Sequence, residues 1–433
     1  MKRIALFASP VVALAACLAC AGPGLATNGY FTHGFGTKSK GMAGAGVALP
    51  QDAMIGATNP AGMAFVGKRL DLGLSLFNPV RQYTVKGAPS GLPATFGLTP
   101  GTVKSGRDWF AIPHVAYNNP LGPNSSVGIC VYGNGGMNTS YPGSAGGGAG
   151  TFYGGPAGVN LEQLFIAPTY ASKFGETASW GVAPIFAYQR FEAKGLKNFG
   201  AFAADGDADN LSDKGTDTST GMGFRVGVQG QVQPDLTLAA SYQSKMKMSR
   251  FKKYDDLFAG RGRFDIPPTA TIGLAYKTDP KSVLAFDIQS IWYSKVAAIH
   301  NPLSNLFEGP DTTGLLGDDK GAGFGWRDVT VAKLGYQREV CPAWTVRGGV
   351  SYGRQPIPSS EVLFNILAPG VEQWHFTGGF THATGPKDEF TMSVMFAPNV
   401  NVKGPNPMEA PGQQTISLRM HEFEAEASWG IKF

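Results

Sequence analysis

The run Trp344-Thr345-Val346-Arg347-Gly348-Gly349-Val350-Ser351-Tyr352 decides the fold, because it alternates without a break. Trp344, Val346, Gly348, Val350 and Tyr352 fall on one side of an extended chain and Thr345, Arg347, Gly349 and Ser351 on the other, the period of a strand with an oily and a polar face. The same alternation sets Trp374, Phe376, Gly378 and Phe380 against Gln373, His375, Thr377 and Thr381, and Met222, Phe224, Val226, Val228 and Val232 against Arg225, Gln229 and Gln231. A soluble sandwich alternates as well. Aromatics at the ends of the oily faces, a glycine-rich polar face and sparse charge favour instead a barrel with lipid outside and water inside.

Outward from Trp344 the pattern predicts strands near 70–78, 109–117, 126–133, 161–173, 180–192, 222–232, 236–246, 269–277, 283–293, 329–339, 344–352, 373–382, 390–399 and 420–433. Their connections alternate. Gln233 to Asp235, Thr278 to Ser282, Val340 to Ala343 and Ala383 to Glu389 are short; Asn134 to Asn160, Ala193 to Gly221, Lys247 to Pro268 and Ser294 to Asp328 are long. Short turns below and long loops above are the layout of a bacterial outer-membrane barrel. The last strand agrees, with Phe423, Ala425, Ala427, Trp429, Ile431 and Phe433 on one face and Glu422, Glu424, Glu426, Ser428 and Lys432 on the other. Such a sheet must close, because unpaired backbone groups in hydrocarbon cost several kcal/mol each. The expected class is therefore all-β, a 14-stranded antiparallel transmembrane β-barrel.

Composition excludes the alternatives. The 36 Lys+Arg and 31 Asp+Glu make 15% of 433 residues, where soluble domains run near 25%. The chain holds 60 Gly and 30 Pro, but with 43% hydrophobic and 11% aromatic residues it is neither collagen nor disordered. After the first two dozen residues no apolar run approaches the roughly 18 to 20 that a spanning helix needs. A net charge of +5 from scattered bases makes nucleic acid a poor partner.

At the amino terminus Lys2 and Arg3 precede an apolar run from Ile4 to Ala21, interrupted by Pro10 and followed by Gly22-Pro23-Gly24, which describes an export signal cleaved after Ala26. A membrane anchor is disfavoured by Pro10 and by the lack of a basic flank. Leu14-Ala15-Ala16-Cys17 offers a competing lipoprotein cleavage site. Removal of the signal leaves Cys130 and Cys341, expected too far apart to bridge. Thr27 to Arg69 does not alternate; its glycines Gly34, Gly36, Gly41, Gly44 and Gly46 precede a helix-compatible stretch from Gln51 to Phe65. It either hangs in the periplasm or folds into the barrel as a plug, for which about fourteen strands leave room.

Four stretches carry a family likeness. GTKSKGMAGAGVALPQDAMIGATNPAGMAF (Gly36 to Phe65) resembles the amino-terminal hatch of the FadL/TodX type of outer-membrane transporters for long-chain fatty acids and aromatic hydrocarbons, including Asn59-Pro60-Ala61. VYGNGGMNTSYP (Val131 to Pro142) is similar to the third-strand region, and GFGWRDVTVAKLGYQ (Gly323 to Gln337) and WTVRGGVSYGRQPIPS (Trp344 to Ser359) to later strands. After the export signal over 1–26, the resemblance implies a hatch over 27–69 and a barrel over 70–433. It also implies ligand captured from outside and sideways exit through a kink in strand three, at Tyr132, Gly133, Asn134, Gly135 and Gly136. Asn59, Pro60 and Ala61 would position the hatch.

An amphiphilic ligand needs a greasy pocket and a cation for its carboxylate. By parity Arg225, Lys245, Lys333 and Arg347 point into the lumen, and Arg190 follows Tyr188 as the family's Tyr-x-Arg does, although strict parity turns it outward. Their bland reading is pairing with Asp287, Glu422, Glu424 or Glu426. Gly349-Val350-Ser351-Tyr352-Gly353 matches the serine-hydrolase elbow but sits in a strand rather than a strand-turn-helix, which makes Ser351 a lumen hydroxyl. Asp205-Gly206-Asp207-Ala208-Asp209 resembles half a calcium loop but lacks its glycine and final glutamate. The dispersed histidines have no zinc spacing, and Ser144 to Gly150 lacks the Lys of a phosphate loop. Lys245, Lys247, Arg250, Lys252 and Lys253 form a basic cluster able to hold lipopolysaccharide phosphates, or else a solvated rim.

The expectation is a monomeric outer-membrane transporter of long-chain fatty acids or other hydrophobic compounds, surrounded by outer-membrane lipid and lipopolysaccharide, with no cofactor, metal or nucleic acid and no enzymatic activity. An aromatic-hydrocarbon channel of the same family, an open porin or adhesion barrel, and a lipid hydrolase using Ser351 are the competing readings.

Overall fold

The computed structural model describes residues 28–206, 208–308 and 313–433. The proposed signal peptide, with Cys17 and Cys20, lies outside the described residues, as does Asp207 of the calcium-like run.

All fourteen expected strands form. They are β1 Arg69–Lys86, β2 Phe110–Pro120, β3 Ser125–Asn138, β4 Gly158–Lys173, β5 Ala178–Lys194, β6 Asp217–Gln233, β7 Leu236–Gln243, β8 Thr269–Asp279, β9 Ser282–Ile291, β10 Val329–Cys341, β11 Trp344–Gly353, β12 Trp374–Ala383, β13 Asp388–Pro405 and β14 Thr415–Lys432. Each pairs with its neighbours in sequence, and two short pieces, Gly101–Lys104 and Lys247–Met248, extend β1 and β6 at the long-loop end. β1 pairs with β14 from Arg69↔Lys432 to Lys86↔Thr415, so the sheet closes and leaves no edge. No described helix is long and apolar enough to cross a membrane.

Alternation places the side chains as expected. Leu72, Leu74 and Leu76 of β1 are exposed on the outside, while Ser75 and Phe77 between and beyond them are fully buried. Met222, Phe224, Val226 and Val228 extend this band around β6, and Phe423 and Trp429 around β14. An apolar surface this wide on a folded chain needs lipid to cover it. Trp344 and Tyr352 stand outward at the two ends of β11, with Trp344 stacked on His382 at 4.4 Å and Tyr352 against Trp374 at 4.6 Å. These are the two aromatic girdles.

Several bounds differ from the expected strands: β1 runs to Lys86 rather than 78, β13 to Pro405 rather than 399, and β6 and β14 each begin five residues earlier, at Asp217 and Thr415. β3 runs to Asn138 rather than 133, because its end leaves β2 and pairs elsewhere. β7 stops at Gln243, three residues early. The stretch from Gln51 to Phe65 forms two 3₁₀ turns, Ala53–Ala57 and Pro60–Phe65, rather than one helix. Pro60 has no N–H to continue the first turn, and the side chains of Asp52 and Asn59 cap each turn by accepting from Met54 and Ala61.

Candidate functional site

Residues 28–65 lie inside the ring of strands, most of them buried and none exposed. A short helix, Thr37–Lys40, carries the strongest anchor. Lys40 sits between two inward carboxylates of β14, with Nζ 2.5 Å from Glu424 and 2.6 Å from Glu426. Thr37 donates to Glu426 at 2.8 Å, and Ser75 of β1 donates to Glu424. Lys38 turns the other way, to Glu389 of β13 at 2.5 Å, which Arg69 also holds at 2.6 Å. Charges this deeply buried persist only when paired. Burial lowers the pKa of Lys38 and would lower that of Lys40, but the two glutamates beside Lys40 raise it above its ordinary value.

The glycine-rich inner face of the wall is shaped around this segment. A Cβ at Gly349 would sit 2.4 Å from the Met42 carbonyl carbon, at Gly335 2.6 Å from Met42 Cβ, at Gly227 2.0 Å from Asn59 Oδ1, and at Gly181 2.4 Å from the Pro60 carbonyl carbon. Asn59, Pro60 and Ala61 dock against β5 and β6. Asn59 Nδ2 donates to the Val47 carbonyl at 2.9 Å, its Oδ1 accepts from Ala61 N at 3.1 Å, and Ser179 of β5 donates to the Ala61 carbonyl at 2.8 Å.

His33 is fully buried beneath Lys40 and Lys333, stacked on His375 with ring centroids 5.9 Å apart. Burial, then Lys40 and Lys333, push its pKa down to about 3, outweighing the opposing pull of Glu426. A group with a lowered pKa contributes stability above its ordinary value of 6.5 and loses it as pH falls towards 3, because the undocked state takes the proton first. Docking of the segment is therefore expected to weaken as pH falls from 6.5. Protease sensitivity of residues 28–65, followed between pH 6.5 and 5, should rise more steeply in the wild type than in His33→Gln; equal slopes in the two would remove His33 as the cause.

Tyr132, Gly133, Asn134, Gly135 and Gly136 form the distinctive part of the wall. β3 pairs with β2 only up to His114↔Tyr132. Its ladder with β4 skips a residue between Gly133↔Leu164 and Gly135↔Gln163, leaving Asn134 as a bulge, with Nδ2 2.9 Å from Gln163 Oε1. Beyond the bulge the free edge of β3 pairs with the amino-terminal segment. Phe31 bridges Gly135, Gly136 N donates to the Tyr30 carbonyl at 3.1 Å, and Thr32 N donates to the Asn134 carbonyl at 3.3 Å. A Cβ on Gly135 would stand 1.9 Å from the Tyr30 carbonyl oxygen, so only glycine admits this approach. The wall thus has a gap between β2 and β3 whose filler is residues 30–32. Above it Tyr30 packs on Tyr293 and Trp326, at 5.6 and 6.2 Å.

Two pockets lie at this end of the barrel. One, under the long loops, is lined by Phe152, Val159, Phe191, Leu196, Phe199, Leu211, Phe258, Leu316, Phe324, Phe364 and Leu367 among others, and no charged residue lines it. The second adjoins the filler at Tyr30 and is lined by Trp326, Met137, Met420 and Arg81. Arg81 is buried, its guanidinium donates to the carbonyls of Asn138 and Arg107, and its Nε has no partner. Sequence reading missed it because the first strand was expected to end at 78; inward parity continued along β1 would have found it.

The five bases singled out from sequence separate. Arg225 and Lys333 line one small polar space with Asp287. Both also hold the segment: Arg225 donates to the Ala57 carbonyl, Tyr132 and Gln243, and Lys333 to the His33 carbonyl at 2.8 Å. Arg347 donates to Gln51 at 3.1 Å and Thr381 at 2.7 Å. Lys245 lies beyond the end of β7, so lumen parity does not reach it; it contacts Asp265 at 3.1 Å and the Lys295 carbonyl at 2.6 Å. Arg190 shares the outward parity of Tyr188 and pairs with Glu162 at 3.3 Å. Three of the acids expected to neutralise these bases serve the segment instead: Asp287 accepts from Gly46 N and Val47 N, and Glu424 and Glu426 hold Lys40, whereas Glu422 is buried with no hydrogen-bond partner. Ser351 Oγ lies 3.1 Å from His375 Nδ1, but both are sealed under the segment, where no ester reaches them.

The family model described as "Outer membrane protein transport protein (OMPP1/FadL/TodX)" matches residues 13–421. The chain belongs to this family. Among solved structures, the toluene transporter TodX of Pseudomonas putida is 18% identical, covers 94% of this chain and 100% of its own, and superposes with a TM-score of 0.67. A FadL homologue of Pseudomonas aeruginosa is 16% identical over 94% and 100%, with a TM-score of 0.67. The toluene transporter TbuX of Ralstonia pickettii is 18% identical over 93% and 99%, with a TM-score of 0.62. These three share the fold. No curated protein matches the chain. Membership of the FadL/TodX family makes this an outer-membrane barrel and a transport protein for hydrophobic compounds, with its long-loop end facing outward.

Proposed function

We propose that this family member takes up long-chain fatty acids. Its ligand is captured in the apolar cavity under the loops and leaves sideways into the membrane through the gap between β2 and β3, after residues 28–33 of a hatch move aside. The observation that carries the reading is the pairing of two pockets: an uncharged, aromatic-rich one under the loops and, beside the gap filler, one lined by the buried cation Arg81. An alkyl chain gains about 0.8 kcal/mol per buried CH₂, but its carboxylate requires a partner. Passage needs no covalent step, so binding and diffusion suffice.

The uncharged lining of the pocket under the loops favours a second reading, uptake of an aromatic hydrocarbon with no headgroup at all. Uptake of labelled oleate and labelled toluene by cells lacking their own channels, with a small sugar as the leakage control, separates the two. Under the fatty-acid reading oleate enters, and Arg81→Met lowers oleate entry about ten-fold or more, the worth of a charge-assisted contact, while leaving any toluene entry intact. Toluene entry without oleate would transfer the assignment to hydrocarbons, and sugar entry alone would make the protein an open pore.

A further inference from the structure

The outside of β1, β13 and β14 changes character at one level. Below it, Leu72, Leu74, Leu76, Phe396 and Phe423 are exposed to lipid. Above it the outward positions of β1 are Val80, Gln82, Thr84 and Lys86, and those of β14 are His421, Arg419, Ser417 and Thr415. The ladders set these in rows. Gln82 lies between Lys104 and Arg419, and Arg419 faces Asn401 on its other side. One row higher Ser417 lies between Thr84 and Lys403, and one row higher again Thr415 faces Lys86. Four cations distant in sequence thus share one outward patch, within three rows of strands that lie about 4.8 Å apart.

Lys86, Lys104, Lys403 and Arg419 are all exposed, and among the described residues none has a carboxylate within 4.0 Å. Arg419 donates Nε to Asn399 Oδ1 at 2.8 Å, which leaves the rest of its guanidinium outward, and His421 contacts the same oxygen at 3.2 Å. The nearby acid Asp108 lies 3.9 Å from Arg81, its strongest partner, and beyond 4.0 Å from Lys104, whose charge it also feels. Like charges gathered on one sheet face repel, and the arrangement is relieved by a multivalent anion. In the basic cluster at 245–253 Lys245 is spent on Asp265 and Lys253 donates to the Thr216 carbonyl, which leaves Lys247, Arg250 and Lys252 as exposed bases for comparison.

We propose that the patch of Lys86, Lys104, Lys403 and Arg419 binds a phosphate of lipopolysaccharide. The long-loop end faces the outer leaflet, and the lipid-facing band directly beneath the patch receives the acyl chains of the same molecule. A soluble anion would use only the charges. Along β14 a rise of about 3.3 Å per residue sets Arg419 about 13 Å from Phe423, a separation that one lipid carrying both headgroup phosphates and acyl chains spans.

The test uses the full chain in detergent, with bis-phosphorylated lipid A, fully dephosphorylated lipid A and inorganic phosphate as probes, and native mass spectrometry as the readout. The wild type should retain phosphorylated lipid A. Lys104→Gln/Lys403→Gln/Arg419→Gln should retain it about ten-fold less, as expected for the loss of several charge-assisted contacts. Lys247→Gln/Arg250→Gln/Lys252→Gln should match the wild type. Folding is checked by the mobility of unheated samples in SDS gels, and Arg419→Gln alone should show a smaller loss if the triple variant fails that check. Equal retention by the patch variant, equal binding of dephosphorylated lipid A, displacement by millimolar phosphate, or loss in the 247–252 variant instead would each overturn the proposal.

Discussion

Deletion of Asn134 is expected to reduce uptake of a hydrophobic substrate to background while the barrel still folds. Asn134 is the extra residue of the β3 bulge, and without it the ladder from Gly133↔Leu164 continues to Gly135↔Gln163 with no skip. A regular β3 has no reason to bend inward at that point. Its free edge then lies beside residues 110–113 of β2, which have no β3 partner in the native ring, and the gap closes. The stability lost is small, about 1 kcal/mol for the hydrogen bond to Gln163 and less once the new ladder forms. Uptake should fall at least ten-fold, a floor set by loss of the only exit the mechanism provides, with unchanged heat-modifiable mobility on SDS gels. Undiminished uptake in a folded deletion variant would mean that cargo leaves by another path.

Lys40→Met should open the lumen. The substitution leaves Glu424 and Glu426 of β14 buried side by side with no cation between them, and breaking a buried ion pair by removing one partner costs roughly 3 to 5 kcal/mol. That is large against the weaker contacts holding residues 28–65, so the segment should leave the wall near β14. Sugar leakage into cells and single-channel conductance should rise, and the segment should become sensitive to protease. Restoring neutrality with Lys40→Met/Glu424→Gln/Glu426→Gln should recover much of the seal, because replacing every member of a buried ion cluster is far cheaper than orphaning two. A tight, protease-resistant Lys40→Met would show that the glycine-lined dock of Met42 and Asn59 suffices by itself.

Much of the barrel was legible because lipid imposes a strict rule on each strand. Outward residues such as Leu76 or Phe423 must be apolar and their neighbours Ser75 and Glu424 need not be, so period two survives in every strand. The inward glycines were legible as a pattern but not as a cause; their meaning is the Met42 and Asn59 backbone pressed against Gly349, Gly335 and Gly227. The candidate bases were harder. Parity placed Arg225, Lys333 and Arg347 inward, but nothing local said that the segment would already occupy their donors. Lys245 was misplaced for a plain reason, since alternation says nothing about where a strand stops.

Strand number, closure, the two faces and the presence of a non-alternating amino-terminal segment follow from the chain alone, because each is decided by neighbours one or two residues apart facing lipid or water. The pairing of Lys40 with Glu424 and Glu426, the filling of the β2/β3 gap by Phe31, the exposure of Arg81 to a cavity and the outer patch of Lys86, Lys104, Lys403 and Arg419 do not. These join residues up to almost four hundred positions apart, as with Thr37 and Glu426. Local preference carries no information about such partners; they meet only because ring closure brings the first strand beside the last, and because desolvated charge and unpaired backbone then have to be satisfied by whatever lies within reach.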